Sequence, residues 1–68
     1  MTVTFFNPQK SVCFFVDGFD HSYNKEDRVL TISNVDSIYH RNGLLVITSG
    51  KTSAVIDSRL FTYYAILP

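Results

Sequence analysis

The clearest alternation of apolar and polar positions runs from Asp36 to Asp57, DSIYHRNGLLVITSGKTSAVID. Asn42-Gly43 separates two runs rich in β-branched and aliphatic side chains. A two-residue type I′ turn needs positive φ at both central positions, so this pair predicts a β-hairpin. With that turn, Tyr39 falls opposite Val46 and Ile38 opposite Ile47. A second turn over Gly50-Lys51-Thr52-Ser53 would put Ile56 opposite Ile47. Ile38, Ile47 and Ile56 then form one row across three antiparallel strands, Ser37–Arg41, Leu44–Ser49 and Thr52–Asp57.

Upstream, Thr2–Phe6 reads as a short strand closed by Asn7-Pro8, because proline lacks a backbone donor and moves the residue before it away from helix. Ser11–Asp17 carries the continuous apolar run Val12-Cys13-Phe14-Phe15-Val16 and predicts a second strand, covered on both faces or covered by a partner. Gly18–Asp27, GFDHSYNKED, is polar and predicts a long irregular loop, with a helical turn near Asn24–Arg28 capped by Ser22. Phe19 and Tyr23 inside it either fold back over the open end of the sheet or face a partner. Arg28–Val35 predicts a strand with Leu30 and Ile32 on one face. The last stretch, Arg59–Leu67, is ambiguous. Its aromatic and β-branched residues favour a strand, while a helix capped by Asp57 or Ser58 would align Leu60, Tyr63, Tyr64 and Leu67. The expected architecture is therefore a single all-β domain over residues 1–68, a small meander, barrel or sandwich of five to seven strands. The alternative is an α+β domain with a C-terminal helix at 58–67.

Composition changes this picture in one respect. In 68 residues, 46% are hydrophobic, with six phenylalanines and four tyrosines. So small a domain cannot hide all of them, so some are expected to lie against a second copy of the chain or another protein. Charge narrows the partner classes. Six acidic and six basic residues cancel and are scattered, whereas a nucleic-acid binder shows a basic face. The longest apolar run falls far short of the roughly 20 residues needed to span a bilayer as a helix. The N-terminal MTVTFFNPQK lacks the basic region of a signal peptide, and one cysteine allows no internal disulfide, so a reducing cytoplasm is the expected setting.

Candidate chemistry is weak throughout. Gly50-Lys51-Thr52 ends like a phosphate-binding loop, but position 45 is Leu45 instead of glycine, and the segment joins two strands. Asp17-Gly18-Phe19-Asp20-His21 does not match a calcium loop, whose glycine comes sixth. One cysteine and two histidines do not make a zinc set, and Cys13 lies in a strand-like apolar run, where a small buried hydrophobe is its expected role. His40, opposite Leu45, has no carboxylate or nucleophile at a spacing that suggests catalysis. No metal, cofactor or enzymatic activity is expected.

What remains is the aromatic surface. The candidate partner-binding residues are Phe19, His21, Tyr23, Tyr39, His40, Arg41, Tyr63 and Tyr64. They would serve a non-catalytic protein-interaction module with exposed aromatics and a free sheet edge. In general style the short, motif-free chain is similar to small accessory proteins of phages and mobile elements, many of which inhibit a host complex; no family is identified. The alternative is a small barrel stacking single-stranded bases, although that mode needs cations along the same groove.

Overall fold

The computed structural model describes every residue from Met1 to Pro68 and shows seven strands in two antiparallel sheets. The chain runs β1 (Thr2–Phe6), α1 (Lys10–Phe15), β2 (Asp20–Asn24), β3 (Val29–Ser33), β4 (Ser37–Arg41), β5 (Leu44–Ser49), β6 (Thr52–Asp57), a 3-10 turn (Ser58–Leu60) and β7 (Tyr63–Leu67). One sheet has the order β2-β3-β1-β7 and the other β4-β5-β6. The all-β expectation holds, and the C-terminal segment is a strand.

The three-stranded sheet is made locally. Asn42 and Gly43 both have positive φ, as the I′ hairpin requires, and pair Ile38 with Ile47, Tyr39 with Val46 and His40 with Leu45. The next turn differs from expectation. Gly50 alone takes positive φ at the first central position, and Gly50-Lys51 makes a two-residue connection. Thr52 and Ser53 therefore stay in the ladder, opposite Ser49 and Thr48. Ile47 meets Ala54, and Ile56 meets Leu45, so the expected Ile38–Ile47–Ile56 row is displaced by two residues. A shift of two keeps every side chain on its own face, because strand side chains alternate with period two. Ile47, Ala54 and Ile56 accordingly remain in the core.

The four-stranded sheet gathers distant segments around β1, which pairs with both β3 and β7. Val3 and Phe5 of β1 point inward with Leu30 and Ile32 of β3 and are fully buried. They form one core with Leu45, Ile47, Ala54 and Ile56 of the other sheet and with Val12, Val16, Phe19 and Val35. The molecule is thus a small sandwich whose ladders continue past the strand ends: the Met1 amino group donates to the Val35 carbonyl at 2.7 Å. Val35 N–H donates to the Met1 carbonyl at 2.9 Å, and Ser58 N–H to the Gly43 carbonyl at 3.2 Å.

Two segments depart from the sequence reading. The apolar run expected as a strand over Ser11–Asp17 is instead the short helix α1. Val12 and Val16 lie four residues apart, on one helical face, and both are fully buried; a strand would have pointed them to the same face only by also burying Phe14 between them. The expected loop Gly18–Asp27 is instead the edge strand β2, paired with β3 from Asp20↔Ser33 to Asn24↔Val29. The cap of the following turn is Asn24, whose Oδ1 accepts from the Glu26 and Asp27 amides at 3.0 and 3.1 Å. Ser22 sits inside the strand, opposite Thr31.

Candidate protein-interaction surface

The eight sequence candidates separate into three settings. Phe19 is buried in the common core and belongs to the scaffold. His21 is half-buried, with Nδ1 2.8 Å from the Phe19 carbonyl oxygen, which orients the ring at the start of β2. Tyr23 lies on the inward face of the same edge strand, opposite Leu30, yet stays partly exposed.

Tyr39, His40 and Arg41 are together on β4, but alternation divides them. Tyr39 and Arg41 face outward, while His40 shares the inward face with Leu45 and Ile56. His40 Nε2 lies 2.7 Å from the Tyr64 hydroxyl, joining β4 of one sheet to β7 of the other. Tyr64 is half-buried against Phe5 and Phe61, so its ring is structural and its hydroxyl acts as the tie. Tyr63, on the outward face, stacks on Phe6 with ring centroids 4.3 Å apart. Of the sequence candidates, Tyr23, Tyr39, Arg41 and Tyr63 present free surface, and His40 is exposed but engaged by Tyr64.

Exposed apolar side chains gather in three regions, of which the first was missed by the sequence reading and the other two extend from Tyr39 and Tyr63. The first is on α1. With Val12 and Val16 buried, Phe14 is 81% exposed and Phe15 48% exposed. The second is on the outward face of the three-stranded sheet, where Tyr39, Leu44 and Val55 are exposed around the largely covered Val46. The third is β7, where Tyr63, Ile66 and Leu67 are all exposed and no charged residue occurs from Tyr63 to Leu67. The signal for α1 was present in the sequence as the i, i+4 valine pair, but six residues are too few for helical periodicity to stand out from a continuous apolar run.

Polar chemistry is sparse. Asp57 and Arg59 form an exposed pair, with Arg59 Nη2 2.7 Å from Asp57 Oδ2. Side-chain and backbone hydrogen bonds from Arg59 hold the Asp57 carboxyl down from 3.8 to about 2. The Arg59 guanidinium is pushed up in turn by the same side-chain bond. Cys13 is half-buried on α1, and no cluster of three histidine, cysteine or carboxylate side chains forms. No helix is long and apolar enough to cross a membrane. In comparison with known proteins, no family model matches the chain, and neither a curated protein nor a solved structure is significantly similar to it.

Proposed function

We propose that the protein is a non-catalytic protein-interaction module that docks through Phe14 and Phe15 into an apolar pocket of a different, larger protein. The observation that carries this reading is the exposure of Phe14, 81% of a large aromatic side chain on a helix anchored from beneath by Val12 and Val16. Burying such a side chain is worth roughly 1.5–3 kcal/mol, and aromatic anchors dominate binding energy at protein interfaces. Two adjacent rings on a short helix make a convex projection. Its complement is a concave apolar site, such as a groove on a larger protein supplies.

A module of this kind acts by occupying a site on another protein, as an inhibitor or accessory subunit does. The small accessory proteins of phages and mobile elements, working in a host cytoplasm, are the setting it fits. The balanced charge favours an apolar protein pocket over a polyanion.

The test compares capture by the wild-type chain with capture by Phe14→Ser, Phe15→Ser and Tyr63→Ser, each checked for folding. A protein partner held by the wild type and by Tyr63→Ser, but lost at least tenfold with either helix variant, is the expected result. Direct titration of the purified partner then confirms it. Capture unaffected by Phe14→Ser overturns the reading. Tight, salt-dependent binding of a single-stranded oligonucleotide would instead favour base stacking on the aromatic surface.

A further inference from the structure

A four-stranded sheet packed on a three-stranded one cannot be covered completely. The inward side chains of the central strands β1 and β3 are fully buried, whereas inward residues of the two edge strands remain open: Tyr23 of β2 is 40% exposed and Ile66 of β7 45%. Exposed sheet edges template further strands unless charge, proline, a bulge or another element guards them.

The four edges differ in this respect. β2 carries Asp20, whose carboxylate takes a hydrogen bond from Asn34 Nδ2. β4 carries Arg41, with His40 tied to Tyr64. β6 ends in Asp57, and α1 packs beside it. β7, Tyr63-Tyr64-Ala65-Ile66-Leu67, has neither charge nor proline, and its ladder runs to β1 alone. Alternate residues of β7 therefore aim backbone donors and acceptors away from the sheet.

We infer that β7 is a homodimerisation edge, pairing antiparallel with β7 of a second copy about a two-fold axis through Ala65. The strand is close to a palindrome in character: two aromatic residues, alanine, then two aliphatic residues. Centred on Ala65, the pairing sets Tyr63 against the partner's Leu67 on the outward face and Tyr64 against the partner's Ile66 on the inward face. Aromatic–aliphatic cross-strand pairs of this kind are favourable, and no charge on either strand opposes the approach. The two-fold repeats each contact, as an isologous interface requires. The exposed inward face of Ile66 is then covered by the partner's Tyr64, and the two four-stranded sheets become one of eight strands. A specific interface needs about 1,000 Å² of buried surface. The five-residue edge, with Tyr64 already packed against the core, falls below that size, so a weak dimer with a dissociation constant on the order of 10–100 μM is expected. This contact is independent of the Phe14 projection.

The test is sedimentation equilibrium of the full chain with two variants at the axis, Ala65→Lys and Ala65→Glu. Ala65 is exposed and faces outward, so both variants are expected to keep the wild-type circular dichroism. The wild type should dimerise, and each variant alone should weaken dimerisation at least roughly tenfold, because like charges then meet across the axis. Mixing the two should restore a heterodimer. As a second measurement, Ala65→Cys on a Cys13→Ser background should form a covalent dimer on mild oxidation, since directly opposed residues lie within disulfide reach. A wild type that remains monomeric at several hundred micromolar overturns the proposal. So do a lysine variant that dimerises like the wild type, a mixture that stays monomeric, and a cysteine variant that does not cross-link.

Discussion

The two sheets of this protein were put together in different ways. In β4-β5-β6 every strand pairs with its neighbour in sequence through a two-residue turn. In β2-β3-β1-β7 only β2 and β3 are neighbours in sequence; the central strand β1 pairs with segments from the middle and the far end of the chain. The first sheet can begin to form from local information, and the second requires closure of almost the whole chain before β7 meets β1. Loop-closure entropy makes such pairing late and dependent on the shared core. The contrast bears on function as well. The locally built sheet is the better guarded, while the assembled sheet leaves β7 open.

The core that both sheets share is the point at which a single substitution does most damage. Ile47→Asp places a carboxylate where the side chain is fully buried, and no cooperative unfolding transition should remain. Val55→Asp, on the outward face of the adjoining strand, should leave the domain folded. Thermal denaturation followed by circular dichroism separates the two; a folded Ile47→Asp variant would contradict the inward face assigned to β5.

A smaller effect tests the tie between the sheets. Tyr64→Phe keeps the ring packed on Phe5 and Phe61 but removes the 2.7 Å bond to His40. The expected loss is about 0.5–1.5 kcal/mol, measured by urea denaturation. Hydrogen exchange should quicken in β4 and β7 and stay unchanged in the Asn42-Gly43 hairpin turn. A coupling energy near zero in a Tyr64→Phe, His40→Phe double-mutant cycle would show that the sheets are held by core packing alone.

The smallest effect lies at the edge of the local sheet. The Asp57 carboxyl titrates at about 2 in the fold against 3.8 ordinarily. A lowered folded pKa contributes stability above the unfolded value, and that stability is lost as pH falls through the folded one. Asp57→Asn should therefore lie slightly below the wild type in stability above about pH 4, with the gap closing toward pH 2. Because the pair is exposed, the difference is small and shrinks with salt. Stability curves that keep a constant gap across this range would show that the Arg59 bond contributes nothing through ionisation.

How far the sequence led depends on the element. Asn42-Gly43 demanded its turn, so β4, β5 and β6 were legible with their boundaries, as was β1 up to Asn7-Pro8. For the second turn the sequence suggested the four residues Gly50–Ser53; pairing along the whole of β6 shortens it to Gly50-Lys51, because the strand's ladder extends to Ser49 and Thr52. DHSYN resembled a loop because an edge strand with mostly exposed side chains needs no hydrophobic pattern; its pairing with β3 makes it a strand. VCFFV resembled a strand because a helix of only six residues, Lys10–Phe15, cannot display helical periodicity.

The candidate surface followed the same division. Exposed tyrosines could be anticipated at Tyr39 and Tyr63, yet Phe19 went to the core and Tyr64 became a tie. Phe14 stood out only once Val12 and Val16 had claimed the buried face of α1. The sequence alone determined an all-β chain with one well-specified hairpin, because turn chemistry and period-two alternation act over a few residues. The tertiary structure decided which strand became central, which edges stayed open and which aromatics reached the surface, because a side chain's burial depends on what the rest of the chain packs against it.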